Sequence, residues 1–249
     1  MRYFICLSYK GTKYHGWQVQ PNAITIQEEI NKALSIILAE KIQCTGCGRT
    51  DAGVHAKEFY AHFDCTKRSS IDKEIIYKLN GCLPSDIAVH NIQNVTHESN
   101  ARFDAYSRTY IYQIILEKNV FNSDYAYYLY GTLDLEIMNK AAKTLVDHTD
   151  FSSFSKSKTQ SKTNDCNIID SFWEKKDGML NFHITSNRFL RGMVRAIVGT
   201  MIELGQGKIS LNDFSDIILS KDRKRAGFSA PAHGLSFIRA IYPETIFKK

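Results

Sequence analysis

The chain of 249 residues predicts an α+β protein built from two ferredoxin-like halves, each with the element order βαββαβ and a largely antiparallel sheet. Two observations support this prediction. Segments with alternating apolar residues and segments with helical apolar stripes follow one another in the same order twice. The first series ends near residue 105, and no sequence repeat accompanies the recurring order. We therefore expect one half at residues 1–104 and the other at residues 105–249.

In the first half, a strand is predicted from Arg2 to Tyr9. The helix that follows begins after Thr25, and the spacing between Thr25 and Glu28 is that of a capping box. A later helix begins at Ser70 or Ile71 and ends near Asn80-Gly81, a typical stop signal. The other predicted elements of this half are strands, at 42–47, 58–63 and 87–95.

The second half begins with a strand at 107–116. Thr132 is predicted to cap a helix at 133–146, and Asp177-Gly178 is the expected turn of a hairpin. Ser210 is predicted to cap a short helix that ends at Leu219. The remaining elements are the two hairpin strands, a strongly apolar helix and a last strand, at 168–175, 179–185, 189–204 and 235–241.

Composition predicts a cytoplasmic protein. Hydrophobic residues make up 43% of the chain and charged residues 23%, which is average for a globular protein. The chain begins as a strand rather than as a signal peptide, and no apolar run approaches the roughly 18 residues that span a bilayer. Six cysteines in a chain of this size indicate reduced thiols. The net charge of +6 is compatible with a polyanionic partner.

The most informative stretch lies between the strands at 42–47 and 58–63 and reads Gly48-Arg49-Thr50-Asp51-Ala52-Gly53-Val54-His55-Ala56. Arg49 and Asp51 are two residues apart, so they face the same side of an extended loop. An adjacent Arg keeps a carboxylate ionised, as a nucleophile or a general base requires. The same pair also fits a structural Arg–Asp brace in a tight turn. The density of polar groups favours a functional site.

Two further segments have residues suited to RNA. Tyr110 and Tyr112 share one face of a strand with Arg108, which fits either packing tyrosines or an aromatic platform for a nucleobase. Arg188, Arg191 and Arg195 are spaced three and four apart and are predicted to form one face of the apolar helix. Such a row fits a solvated surface, but Arg195 lies among apolar neighbours and needs a carboxylate partner, for which Asp51 is a candidate.

Other motifs are less specific. Lys156, Lys158 and Lys162 in one loop, and the run at 221–225, fit either solvated surface or phosphate contacts beside a cleft. Cys44 and Cys47 form a CxxC without the second pair of a zinc ribbon or a thioredoxin-like setting, so metal or redox use is not expected.

Taken together, the chain resembles the TruA family of tRNA pseudouridine synthases over nearly its whole length. The segments that show the resemblance are Tyr14 to Gln18, Gly48 to Ala56, Ala101-Arg102-Phe103, Tyr110-Ile111-Tyr112, Phe151 to Phe154, Met193-Val194-Arg195 with Ile197-Val198-Gly199, and Ala230-Pro231-Ala232 with Gly234-Leu235. Two positions depart from the family pattern: Lys10 and His233 stand where an acidic residue is common.

The resemblance implies the pseudouridine synthase fold, with two halves that meet at a central basic cleft. It implies that Asp51 is the catalytic aspartate, that Tyr110 packs on the uracil and that Arg195 pairs with Asp51. Arg49 would help to open the RNA stem and support the flipped base. The other residues predicted to bind substrate are Thr50, His55, Tyr112, Arg102, Arg191 and Trp17.

The resemblance also implies a homodimer with no metal and no organic cofactor. Its substrate would be the anticodon stem-loop of tRNA, at uridines on the 3′ side (tRNA positions 38–40). Asp51 would either form an adduct at the sugar, abstract a proton there or attack the ring.

Two other functions are consistent with parts of the sequence. A catalytically silent RNA-binding protein that assists RNA folding would use the same cleft without an ionised Asp51. A glycoside hydrolase would need a second carboxylate roughly 5–9 Å from the first, and Asp104 is the nearest candidate.

Overall fold

The computed structural model describes residues 1–67, 71–156 and 163–248. Contacts between residues divide the chain into two compact units. The first unit contains Met1–Tyr106 and Phe237–Lys249, and the second contains Ser107–Ser236. Both units contain helices and strands, and most of the strand pairs are antiparallel. The predicted mixed helix-and-strand class with a mostly antiparallel sheet is therefore confirmed.

The described residues of the first unit form two α-helices, four complete strands and the end of a fifth. In chain order these elements are β1 (Arg2–Tyr9), α1 (Ile26–Leu38), β2 (Thr45–Gly46), β3 (His55–Asp64), α2 (Lys73–Cys82), β4 (Ile87–Val95) and the last residues of β9 (Leu235–Ile241). Strand β1 lies between β3 and β4 and pairs with both in antiparallel register, while β2 pairs with β3.

Strand β1 is buried on both faces, which explains its nearly continuous apolar sequence. On one face, the ring of Phe4 lies 5.2 Å from that of Tyr242 and 6.1 Å from that of Phe247. The chain end therefore covers this side of the sheet. Tyr242 also donates a hydrogen bond to the carbonyl of Ala101 (2.6 Å), which ties the end of the chain to the segment after β4.

The strand predicted at 42–47 is shorter than expected, because the backbone of residues 42–44 bonds to side chains of α1 instead of to a strand. Asn31 accepts from the amide of Cys44 (2.9 Å) and Ser35 from that of Ile42 (2.9 Å). Gln27 donates to the carbonyl of Cys44 (2.6 Å). Thr45–Gly46 form the strand that pairs with β3, and the amide of Cys47 donates to the carbonyl of Tyr60 (2.7 Å).

In the second unit, the residues that the structure describes form three α-helices, four complete strands and the start of β9. The complete elements are β5 (Ser107–Ile115), β6 (Tyr127–Tyr128), α3 (Leu135–Thr144), β7 (Ile168–Lys176), β8 (Met179–Ser186), α4 (Met193–Gly205) and α5 (Leu211–Ser220). Strand β8 lies between β5 and β7 and is antiparallel to both, and the short β6 is parallel to β5. The predicted hairpin turn is confirmed: Asp177 and Gly178 have φ values of 51° and 76°.

The core of the second unit lies where α3 and α4 pack on the sheet. Asn139 of α3 bonds to both backbone groups of Trp173 on β7 (2.8 and 3.0 Å). The indole of Trp173 donates to the sulfur of Met201 on α4 (3.3 Å). Helix α4 is buried around most of its circumference, as its apolar sequence predicts.

Helix α4 begins at Met193, and the prediction that it begins at Phe189 was wrong. Gly192 occupies the N-cap position with φ 72°, a left-handed conformation that interrupts the helix. Arg188 and Arg191 therefore lie before the helix and do not form one helical face with Arg195.

The helix caps give a mixed result. Ser210 forms the predicted cap of α5, in a reciprocal capping box with Asp213. The box predicted for Thr25 is wrong: its hydroxyl is buried without a hydrogen-bond partner and caps nothing. Helix α3 is capped by Asp134 rather than Thr132, and α2 is capped by Asp72. The alternative start of α2 at Ser70 lies outside the described residues.

Among the residues that the structure describes, no helix combines the length and the hydropathy needed to cross a lipid bilayer.

Ser210, which caps its helix, and Thr25, whose hydroxyl does not, allow a matched test of stability. We expect Ser210→Ala to lower the free energy of unfolding by about 1 kcal/mol, because it removes the capping-box hydrogen bonds. Thr25→Val keeps the side-chain shape and removes a buried hydroxyl that has no partner, so we expect no loss of stability. Urea denaturation of both variants measures the difference, and equal losses would contradict the assignment of the caps.

Candidate active site

The predicted catalytic residue lies on the loop between β2 and β3, which we call the aspartate loop (residues 48–54). Asp51 is half-buried at its centre, Arg49 is exposed and Thr50 is buried. The loop closes with a hydrogen bond from the amide of Val54 to the carbonyl of Asp51 (3.2 Å). It therefore has a defined backbone, and its functional side chains differ in their access to solvent.

The segment that follows β1, which we call the first loop (residues 10–17), packs directly on the backbone of the aspartate loop. A Cβ atom on Gly11 would lie 2.0 Å from the carbonyl oxygen of Val54, and one on Gly16 would lie 2.4 Å from that of Thr50. Gly16 also has φ 87°. Both positions require glycine, because any side chain would push the two backbones apart.

The close approach allows hydrogen bonds between the two loops. The amide of Trp17 donates to the carbonyl of Thr50 (3.2 Å), and the amide of Gly53 donates to the carbonyl of Tyr14 (3.3 Å). The amide of Gly11 donates to Nδ1 of His55 (3.1 Å). Since Nδ1 accepts, the proton of the neutral His55 ring is on Nε2.

Buried side chains support the aspartate loop from below. The hydroxyls of Tyr9 and Thr50 are hydrogen-bonded at 2.9 Å in the interior. Trp17 is 1% exposed, and its ring lies 4.3 Å from that of Phe59 on β3. Trp17, Thr50 and His55 were predicted to bind substrate, and the structure places all three in the interior beside or beneath the loop.

Sequence reasoning missed two residues that position this site, Tyr9 and Asp86. Asp86 accepts a 2.5 Å hydrogen bond from the hydroxyl of Tyr14 and lies 3.7 Å from the ammonium of Lys13. Burial, followed by the bond to Asp86, raises the pKa of Tyr14 well above its usual value, so its phenol stays protonated as a donor. No local motif identifies Asp86, because its partners lie about 70 positions earlier in the chain.

In the second unit, the predicted tyrosine strand is β5. Arg108, Tyr110 and Tyr112 all occupy its buried face, which confirms that they share one side. Tyr110 is 9% exposed and packs edge-on against Phe189, with ring centroids 5.1 Å apart. The hydroxyl of Tyr112 donates to the carbonyl of Pro231 (2.9 Å), and burial raises the pKa of this phenol. Tyr112 is therefore part of the core.

Arg195 lies half-buried in the first turn of α4. Its Nε donates to the carbonyl of Ala230 (2.6 Å), and the amide of Ala230 donates back to the carbonyl of Arg195 (3.0 Å). One turn further on, a Cβ on Gly199 would lie 1.8 Å from the carbonyl oxygen of Phe228. The segment before β9 is thus fixed against α4 next to Arg195.

Arg102 and Arg191, which were predicted to bind substrate, are exposed. Arg191 lies just before α4, and its carbonyl accepts from the amide of Lys156 (3.0 Å). The guanidinium of Arg102 lies 5.5 Å from the ring centroid of Phe103, a cation–π contact on the turn after β4. Asp104, in the same turn, accepts from the amide of Asn100 (2.7 Å).

The predicted basic segments are only partly described, since Lys158 and Lys162 lie outside the described residues. Lys221 pairs with Asp150 (2.9 Å), and Arg223 donates to the carbonyls of Ala226 and Gly227.

Within the described ranges, no group of three His, Cys, Asp or Glu side chains could hold a metal ion. Cys44 and Cys47 are both buried, and burial raises the pKa of Cys44 to about 12.

Comparison with known proteins identifies the class first. The model of the family described as "tRNA pseudouridine synthase" matches residues 141–243, which include α4, α5 and the segment that contacts Arg195. The mixed fold with a mostly antiparallel sheet fits this class.

Curated relatives then identify the particular family. The chain is 47% identical to tRNA pseudouridine synthase A of Parabacteroides distasonis over 99% of its length and 98% of that protein. It is 48% identical to the protein of the same name from Bacteroides thetaiotaomicron, over 100% and 93% of the two chains. The corresponding protein of Clostridium acetobutylicum is 37% identical over 96% and 98%. The chain therefore belongs to the tRNA pseudouridine synthase A family.

Two glycine variants test whether the loop contact stabilises the fold. We expect Gly11→Ala to lower the free energy of unfolding by about 1–3 kcal/mol, because its methyl group overlaps the carbonyl of Val54. Gly48→Ala is the control, since a Cβ at this position has no neighbour within 4 Å and its φ is not positive. Denaturant titration should separate the two variants, and an unchanged midpoint for Gly11→Ala would refute the contact.

Proposed function

We propose that this protein isomerises uridine to pseudouridine in tRNA, with Asp51 as its catalytic residue. The observation that supports this best is a half-exposed carboxylate on a loop whose backbone is fixed by the first loop. A catalytic group held in this way needs little reorganisation when substrate binds. Similarity to proteins named tRNA pseudouridine synthase A over almost the entire chain supports the same reaction.

The reaction breaks the bond between ribose C1′ and uracil N1, rotates the base and joins C1′ to C5. N1 gains a proton and C5 loses one, so atoms and electrons balance without an oxidant or a carried group. Asp51 either adds to the sugar or removes a proton there while the base is detached, or attacks the ring. The target base must first leave its stack, which costs a few kcal/mol.

We further propose that Tyr110 packs on the detached uracil and that Arg195 pairs with Asp51. The edge-on packing of Tyr110 against Phe189 and the bond from Arg195 to Ala230 support these roles, because they restrict both side chains. Arg49 is exposed and would help to open the RNA stem and support the flipped base. Arg102 and Arg191 are exposed cations that suit phosphate contacts. Thr50, His55, Trp17 and Tyr112 would act by supporting the residues that touch the RNA.

We also make proposals about the part of the tRNA that is bound and about the oligomeric state of the protein. We propose that the substrate is the anticodon stem-loop, bound in a basic cleft where two ferredoxin-like halves, 1–104 and 105–249, meet. The element order in each half and the net charge of +6 support this arrangement. We also propose that the protein acts in the cytoplasm as a homodimer.

Replacement of Asp51 tests the chemistry. We expect Asp51→Asn to abolish pseudouridine formation while tRNA affinity stays within about threefold, because the side chain keeps its shape and loses its charge. Pseudouridine is measured by chemical mapping of the tRNA, and affinity by filter binding. Substantial turnover by this variant would refute the catalytic role. A wild-type protein that binds tRNA without forming pseudouridine would instead be an RNA-binding protein.

The two arginines on either side of Gly192 give a second test. We expect Arg195→Ala to lower the free energy of unfolding by about 1.5–3 kcal/mol, since it leaves the carbonyl of Ala230 without its charged donor. Its turnover should fall at least about 100-fold. Arg191→Ala removes an exposed side chain and should keep its stability within about 0.5 kcal/mol. Thermal unfolding and single-turnover kinetics measure both effects, and a fully active Arg195→Ala would contradict the proposal.

A further inference from the structure

The segment between β4 and β5 presents aromatic rings and an arginine to solvent. We call it the exposed turn (residues 100–106). Phe103 is 75% exposed and Tyr106 is 64% exposed. The guanidinium of Arg102 lies over the ring of Phe103, 5.5 Å from its centroid. Exposed rings beside a cation are the side chains with which proteins hold unpaired nucleobases.

Hydrogen bonds fix the backbone of the exposed turn. The side-chain oxygen of Asn100 accepts from the amides of Arg102 (2.9 Å) and Phe103 (3.3 Å). The carbonyl of Asn100 accepts from the amides of Phe103 (3.2 Å) and Asp104 (3.0 Å). The carboxylate of Asp104 closes the turn by accepting from the amide of Asn100 (2.7 Å). Because this backbone is already ordered, a ligand that stacks on Phe103 loses little binding free energy in ordering it.

The end of β9 lies against the exposed turn and adds a second cation. The amide of Tyr106 donates to the carbonyl of Ile241 (2.8 Å), and the hydroxyl of Tyr242 donates to the carbonyl of Ala101 (2.6 Å). Both ends of the turn are therefore attached to the same short segment. Arg239 and Ile241 are exposed and alternate with buried residues, so they lie on one face of the strand.

The exposed turn is distant from the proposed catalytic residue. The amide of Ala101 donates to Nδ1 of His62 (3.1 Å), near the end of β3, whereas the aspartate loop joins the start of β3 at His55. At about 3.3 Å per residue, the strand from His55 to His62 spans about 23 Å. A base that stacks on the turn is therefore not the base on which Asp51 acts.

The charge of this surface favours RNA over a second copy of the chain. Arg102 and Arg239 are exposed cations, and the carboxylate of Asp104 is bonded to the backbone of the turn. Such a surface attracts phosphates, and two copies of it repel each other.

We propose that the exposed turn binds an unpaired nucleotide of the tRNA other than the uridine that is isomerised. The base stacks on the face of the Phe103 ring opposite to Arg102, and Arg102 contacts the neighbouring phosphate. Tyr106 and Arg239 flank this nucleotide. The inference rests on the proposed function for its ligand, a tRNA, and adds a contact far from Asp51.

Filter binding of tRNA at one fixed salt concentration tests the stacking. Phe103→Ala and Phe103→Leu should each weaken the affinity at least about fivefold, because both remove the aromatic face, whereas Phe103→Trp should keep it. Tyr77→Ala is the matched control, since Tyr77 is 80% exposed on α2 and its removal should leave the affinity unchanged. Full affinity in Phe103→Ala would overturn the inference. Full affinity in Phe103→Leu would also overturn it, because the contact would then need no ring.

The fluorescence of Phe103→Trp reports the stacking directly. The two tryptophans of the chain, Trp17 and Trp173, are 1% and 3% exposed, so they contribute a background that RNA does not reach. Addition of tRNA should quench the introduced indole, whereas a fully paired RNA duplex should not, since its bases are already stacked on one another. Tyr77→Trp should be quenched by neither RNA. An unquenched Phe103→Trp, or equal quenching in Tyr77→Trp, would overturn the inference.

Two further measurements separate this inference from its alternatives. A Phe103→Ala variant that sediments as a smaller species than the wild-type protein would show a contact between copies of the chain and would overturn the inference. The pseudouridine assay tests the proposed function separately. Quenching of Phe103→Trp by tRNA would support the stacking even if the wild-type protein formed no pseudouridine. Pseudouridine formation without quenching would support the isomerase and overturn the stacking.

Discussion

The aspartate loop depends on a backbone contact that only glycine allows. Gly11 and Gly16 lie so close to the carbonyl oxygens of Val54 and Thr50 that a Cβ would fall at 2.0 and 2.4 Å. This approach permits the hydrogen bonds from Trp17 and Gly11 that fix the loop. Asp51 is therefore positioned through its backbone, and its carboxylate stays partly exposed. A fixed carboxylate that is still accessible is what nucleophilic or base catalysis requires.

The second unit positions its residues by the same means. Gly199 allows the carbonyl of Phe228 to lie against α4, and Gly234 lies against the ring of Tyr112. The reciprocal bonds between Arg195 and Ala230 and the bond from Tyr112 to Pro231 follow from this close packing. In both units, core contacts immediately beside the proposed catalytic residues hold them in place, so the stability of the fold and the geometry of the site depend on the same atoms.

Local features of the fold were predictable because neighbours in the sequence determine them. The turn at Asp177-Gly178 and the cap at Ser210 depend on a few adjacent residues, and both agree with the structure. The errors lie where distant residues compete. Thr25 matches a capping box in sequence, yet its hydroxyl is buried away from the helix amides. Residues 42–44 alternate like a strand, but side chains of α1 take their backbone bonds.

The sequence alone determined the mixed fold class and the motif around Asp51, because periodicity and residue type are local properties. Only the tertiary structure decided which of the predicted substrate residues are accessible. Trp17, His55 and Tyr112 are buried, whereas Arg49, Arg102 and Arg191 are exposed. Exposure and hydrogen-bond partners depend on residues far away in the chain, such as Asp86 for Tyr14 or Pro231 for Tyr112, and a linear pattern contains no record of them.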